Sequence, residues 1–285
     1  LEKITNIFPV EGMNLAGKVK AIIQTKGKYS DVEAGKYDRL PTSGTASLTG
    51  LKYTSADLPY TVTVSTAEAT FDPKKIDVKN TNGTIGKSDF AVNGAINNYI
   101  GYLFGPNETI KGNMNFHSSL LDLNEFMTES EEPAATDTAS YGVIPVPKNI
   151  DFVLHSEIKT VKMMDFTLSD ARGDIIVKDG VADLHEIKFN MLGGAFIVDG
   201  AYDTKDLNHP KYNLALKINN LSIQQAANSF TVVQTYAPIA GLVNGNFNTD
   251  FSINGELGQD MSPKMNSINA RGLIKIVQAA LTQSK

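Results

Sequence analysis

Four histidines, His117, His155, His185 and His209, are the side chains of this sequence best suited to proton transfer or metal ligation near neutral pH. None has a second histidine or a carboxylate at a recognised ligand spacing, and the neighbours His185 and Glu186 are expected on opposite faces of a strand. The chain has no cysteine, which removes thiol nucleophiles, thiolate metal sites and disulfides together. It also lacks a glycine-rich phosphate loop, a Gly-x-Ser-x-Gly elbow and a His-Glu-x-x-His pair. Gly193-Gly194 reads as a hairpin turn supplying positive φ or a bulge, not as a phosphate nest. Glu129, Glu131 and Glu132 do not make a calcium site, because its oxygen ligands must converge on a rigid turn and these lie in a Pro/Ala/Thr-rich run. The expectation is a non-enzymatic protein with no catalytic residues, no metal and no cofactor. Asn82-Gly-Thr, Asn107-Glu-Thr and Asn220-Leu-Ser match the N-glycan acceptor pattern, and Asp137-Thr138-Ala139 resembles a bacterial O-glycan acceptor.

The informative spacing belongs to strands. In Lys178–Thr204 two runs, Val181–Phe189 and Gly194–Tyr202, flank Asn-Met-Leu-Gly, and Phe196, Val198 and Tyr202 alternate with Ala195, Asp199 and Ala201. Such a period of two marks a half-buried strand. Asp72–Asn98 superimposes on this stretch without a gap: Asp77 falls on Asp183, Phe90 on Phe196, Val92 on Val198 and Gly94 on Gly200. A second repeat links the ends of the chain, where Gly245 and Gly255 reproduce the spacing of Gly17 and Gly27. The chain therefore reads as a repeat protein.

Other elements follow in order. Leu1, Ile4 and Phe8 share a helical face that Pro9 ends, and Leu1-Glu2-Lys3-Ile4 reads as the middle of a helix, so an excerpt of a longer protein is expected. Extended runs follow over 13–27, Thr45–Thr49, Tyr60–Ser65 and Ala67–Phe71, with a turn at Asp72-Pro73. Ile100, Leu103 and Phe104 suit a short helix capped by Asn97. Lys111–Ser118 is a strand. Asp122-Leu-Asn-Glu125 reads as a capping box before Leu123, Phe126 and Met127, and Ser222-Ile-Gln-Gln225 as the same device one repeat later. The latter opens a helix over 222–236 with Ile223, Ala226, Ala227, Phe230 and Val233 on its apolar face. Lys148–Ser156, Lys162–Asp170 and Leu273–Val277 complete the strands. The predicted class is mainly β: repeated antiparallel sheet units, forming a curved groove or a sandwich, with short capped helices between them. Residues 1–127 form the first unit, 128–147 a mobile acidic linker and 148–285 a second unit with the start of a third.

Composition sets outer limits. The chain has 285 residues and 41% hydrophobic content, enough to order a β protein of this size. Its net charge of -5 provides no basic face for nucleic acid. No apolar run reaches the length of a membrane span.

Taken together, LDLNEFM, LSIQQAANSF, IGKSDFAVNGAINNYIGYLF, PKNIDFVLHSEIKTVKM and GGAFIVDGAYD resemble the AsmA-like C-terminal region of bacterial envelope proteins. That resemblance implies a large parent protein, anchored in the inner membrane by an N-terminal helix, with its bulk in the periplasm. It also implies a role in outer-membrane biogenesis and a likeness to repeating β-groove proteins that carry lipid between membranes. Phospholipid and envelope proteins are the implied partners. Membrane contact would come through parts of the parent outside this sequence. Phe90, Val92, Phe196 and Val198 are the candidate groove residues, since the repeat retains them together. The alternative is a structural or adhesive β-repeat domain that binds protein or glycan through its loops, for which exposed loop aromatics would speak.

Overall fold

A computed structural model describes residues 13–36, 39–55, 58–105, 108–126 and 142–281. The helical face at Leu1, Ile4 and Phe8, most of the acidic linker, Met127, the Glu129–Glu132 cluster and Asp137-Thr138-Ala139 lie outside them.

The strands assemble into one 14-stranded sheet, almost wholly antiparallel. They are β1 (Met13–Gln24), β2 (Ser43–Ser55), β3 (Leu58–Phe71), β4 (Lys75–Ile85), β5 (Ser88–Asn97), β6 (Ile110–Ser118), β7 (Leu121–Asp122), β8 (Ile150–Met163), β9 (Phe166–Lys178), β10 (Val181–Met191), β11 (Gly194–Asp203), β12 (Lys211–Ser222), β13 (Val243–Glu256) and β14 (Asn269–Leu281). Spatial order follows chain order, with short β7 set beside β8. The one long crossover leaves after β7 and returns at β8, which therefore runs parallel to β6, the register a crossover demands. That pairing joins strands from both predicted units into a single curved, unclosed sheet, so the sandwich option falls away: among the described residues no second sheet faces the first. β1 and β14 are its terminal strands.

The internal repeat reappears as geometry. In β4–β5, Asp77 pairs with Ala95 and Gly83 with Phe90; in β10–β11, Asp183 pairs with Ala201 and Phe189 with Phe196. Both hairpins carry a bulge at the same place, between Val78 and Thr81 and between Leu184 and Ile187, with Asn80 and Glu186 each at φ 47. Glu186 is thus the bulged residue, which replaces the simple opposite-face relation with His185. At the β10–β11 turn Leu192 and Gly193 both have positive φ, as a two-residue hairpin turn requires, while a Cβ on Gly194 would sit 3.1 Å from Leu221. Gly17 and Gly245 also match, at φ 139 and 149 close to register shifts in the β1–β2 and β13–β14 pairings.

Several local expectations are corrected by longer-range contacts. The single helix over 222–236 is two, Ile223–Ser229 and Thr231–Tyr236, because Phe230 turns extended (φ -110, ψ 113) and stacks on Phe166 at 5.5 Å. Ser222 caps the first of these through its hydroxyl, which accepts from the Gln225 amide. At the earlier site Asp122 caps only a three-residue turn, and Glu125 does not return to it. Instead the Glu125 carboxylate accepts from the Lys87 amide (2.8 and 3.0 Å) and the Ser88 hydroxyl (3.1 Å), tying this turn to the β4–β5 hairpin. The helix Tyr99–Phe104 starts from Asn98, left-handed at φ 60, rather than Asn97. The Asn98 side chain bonds Glu108 and the Thr109 carbonyl and makes no cap. Tyr60–Ser65 and Ala67–Phe71 are one strand, and Lys162–Asp170 straddles the β8–β9 turn, with Met164 at φ 52. At the β3–β4 turn the Asp72 carboxylate accepts from the Lys74 and Lys75 amides, and these bonds lower its pKa.

Asp89 holds the β6–β7 junction in the same way. Its carboxylate accepts from the Ser119 and Leu120 amides and the Ser118 hydroxyl. Burial alone would raise its pKa, but these hydrogen bonds outweigh burial and bring it below the ordinary range. A depressed folded pKa means the stabilisation is complete above the unfolded carboxylate value, about 3.9, and is lost as pH falls through the folded value. Asp89→Ala is expected to cost about 1–2 kcal/mol at neutral pH. In urea titrations its difference from the parent should shrink at pH 3; a difference that persists unchanged would show the carboxylate's charge is not the cause.

Candidate apolar surface

Side chains alternate across the sheet, so register assigns every residue to one of two faces. Along one row the pairing runs Ala21, Ala46, Ala69, Val78, Gly94, Met114, Leu154, Ile175, Leu184, Gly200, Leu214, Ile253, Ala270. Each strand on the path contributes one residue, and none is polar. The next row on this face, Ile23, Gly44, Phe71, Ile76, Ile96, Gly112, Phe152, Val177, Ala182, Tyr202, Tyr212, Gly255, carries only tyrosine hydroxyls as polar groups. At about 4.8 Å per strand the apolar band is roughly 55–60 Å long. The opposite face is more polar: on the row between those two, Thr45, Thr70, Asp77, Asn113, Asp183, Asn213, Asn254 and Asn269 are interspersed with Ile22, Ala95, Val153, Ile176 and Ala201.

Among the described residues the apolar face is covered along one margin only. There Phe196, Ile218, Leu221 and Ala226 form a buried cluster with Phe189, Met191, Leu192, Leu216, Phe230 and Phe247, roofed by the 223–236 helices. A second cluster of Val161, Leu168 and Ala171 adjoins it through Phe189 and Met191. Phe189 and Phe196 stack at 5.1 Å, and Tyr60 meets Phe126 edge-on at 6.5 Å. The central row lies outside both clusters. Val78, Met114, Leu154, Ile175 and Ile253 are only partly buried, and Leu184 and Leu214 are each 37% exposed. Towards the terminal strands exposure rises, to 61% at Ile23 and 68% at Ile274.

The four candidate groove residues divide accordingly. All lie on the apolar face: Val92 pairs with Phe116, Phe90 with Gly83, Val198 with Ile187 and Leu216. Phe196 is 4% exposed and belongs to the covered core, whereas Phe90, Val92 and Val198 are partly buried outside it. Alternation alone identified the face. Which of its residues a helix covers depended on Phe230, whose extended backbone no local signal announces.

On the polar face each histidine meets one carboxylate: His117 with Glu157 (3.3 Å), His155 with Asp174 (2.7 Å) and His185 with Asp199 (3.8 Å), while His209 meets Asp206 (3.0 Å) in a loop. The first three partners come from neighbouring strands, which residue spacing does not reveal. The His155–Asp174 pair is partly buried and the other three are more exposed, and among the described residues no group of three metal-ligating side chains exists. A depression of about 510 Å³ on this face is wide open and lined by Asp89, His117, Glu157 and Arg172 among others. The most exposed aromatics, Tyr29 and Tyr236, stand at opposite ends of the strand order and form no common patch. No described helix is long and apolar enough to cross a membrane. No family model matches the chain, and comparison with curated proteins and solved structures finds no similar protein.

Proposed function

We propose that this chain is a non-enzymatic lipid-handling module, part of an AsmA-like protein of the bacterial periplasm whose parent is anchored in the inner membrane and serves outer-membrane biogenesis. The observation that carries the reading is the unbroken apolar row across thirteen strand positions of an unclosed sheet, open to solvent over its centre. Water contact over such a band is costly. An acyl chain laid on it recovers about 0.8 kcal/mol per buried CH₂, so a chain of ordinary length gains enough to offset its loss of freedom. Exposed apolar patches of this size mark interaction surfaces in soluble proteins. A row without polar interruption would let a chain slide between equivalent positions, which suits transfer better than storage.

Native mass spectrometry and solvent extraction of protein purified from bacterial cells test the proposal. Phospholipid is expected to co-purify and to be displaced by detergent. Protein that carries no lipid, and takes up none from phospholipid vesicles, would leave the structural or adhesive reading in its place.

A further inference from the structure

Glycine weakens a strand interior unless something else takes the place of its side chain. On the apolar face that place is taken by rings. From β2 to β13, four glycines stand opposite an aromatic residue of the neighbouring strand: Gly44 opposite Phe71, Gly83 opposite Phe90, Gly112 opposite Phe152 and Gly255 opposite Tyr212. A Cβ would come within 2.9 Å of the Phe71 ring, 2.5 Å of Phe90 and 3.2 Å of Tyr212, and on Gly112 it would overlap the Phe152 ring. Each ring therefore lies along the sheet over its glycine, covering for the missing side chain. Standing perpendicular to the sheet, as strand side chains ordinarily do, the same rings would form ridges across the apolar band.

The Gly112–Phe152 pair differs from the others in two respects. It lies at the parallel β6–β8 contact, where the two halves of the sheet join, and Phe152 belongs to neither covered cluster. It is also the pair in which the ring is the nearest obstacle to a side chain. At Gly44 and Gly83 a Cβ would strike the Ile22 and Thr63 carbonyls too, and at Gly255 the Ser267 hydroxyl, whereas the three atoms nearest one on Gly112 all belong to Phe152.

We propose that Gly112 is a positioning residue for lipid: it gives the Phe152 ring room to lie flat, which keeps the apolar band passable between its two halves. The inference rests on the lipid reading and adds to it the residue that sets the clearance at the centre. In Gly112→Val the new side chain takes the ring's bed, and Phe152 must turn up into the band. The test uses the full chain, stripped of lipid and mixed with phosphatidylethanolamine–phosphatidylglycerol vesicles that carry a pyrene-labelled phospholipid. Label bound per folded chain is read after the vesicles are removed. Gly112→Val should lower it roughly threefold at a temperature below its melting transition. Gly112→Ala, which meets the same ring, takes its place should the valine prevent folding. Adding Phe152→Ala should restore the parent's uptake, because no ring remains to be lifted and the valine fills its space; mere loosening of the strand would not be repaired by removing more apolar volume. In the parent, the Gly112 α-protons should be shifted upfield by the ring and return to ordinary values in Phe152→Leu. Unshifted α-protons in the parent, uptake by Gly112→Val equal to the parent's, or a double variant no better than Gly112→Val would each overturn the inference and leave the lipid reading standing. A parent that takes up no label would defeat both.

Discussion

Phe196→Ala should destabilise the protein by about 3–5 kcal/mol and lower its melting temperature by roughly 5–15 °C. The ring is 4% exposed, stacks on Phe189 at 5.1 Å and sits beneath Ala226 of the first roof helix, in a cluster with Ile218 and Leu221. Truncation leaves a cavity beneath a roof that the Phe166–Phe230 stack also holds in place. The effect should fall on stability and not on lipid, because the site lies under the roof rather than in the open band. Thermal melts beside lipid extraction decide this. A small shift in melting temperature would mean that the helices are loosely held and that Phe196 belongs to the accessible surface after all.

Two residues along the same strand, Val198→Asp should do the reverse. Val198 shares its face with Phe196 but stands outside the covered cluster, partly exposed between Ile187 and Leu216. A carboxylate there can still reach water, so the fold should survive with only a small loss of stability. A charge set into the apolar band should reduce co-purifying phospholipid on the order of tenfold, equivalent to ~1.4 kcal/mol. An unpaired carboxylate in a closed interior would instead cost several kcal/mol, comparable with the stability of a whole domain. Collapse of the melting transition would therefore assign Val198 to an ordinary core and remove it from the proposed surface. Val92→Asp, at the corresponding position of the earlier repeat, should behave like Val198→Asp.

The contrast between these neighbours explains how the molecule divides its apolar residues. A sheet with one covered face needs a second layer along its whole extent, and here helices supply that layer at one margin only. The remainder of the face is stabilised by cross-strand contacts within a single layer, which leaves the central leucines and isoleucines partly wet. Hairpin registers hold this arrangement without a large core, since each strand between β1 and β14 on the path pairs along most of its length with both neighbours.

How much was legible beforehand depended on the range of the interaction involved. Period-two alternation is local, so Phe196, Val198 and Tyr202, like Phe90, Val92 and Ile96, could be assigned to a common face from the order of residues alone. The repeat was equally open to reading from the shared Phe-x-Val-x-Gly strand, but the corresponding bulges at Asn80 and Glu186 appeared only in the structure. The caps at Asp122 and Ser222 were visible too, being bonds to amides only two or three positions away. Everything that joins distant segments came from the tertiary structure. Parallel pairing of β6 with β8 made one sheet of two units, Glu125 served the β4–β5 turn rather than its own helix, and the histidines found carboxylates across strands. Phe230 shows the reason most plainly: its helical pattern was sound, but stacking on Phe166 outweighed one more turn of helix. Local periodicity chose the apolar face; only packing between remote residues decided how much of it would stay uncovered.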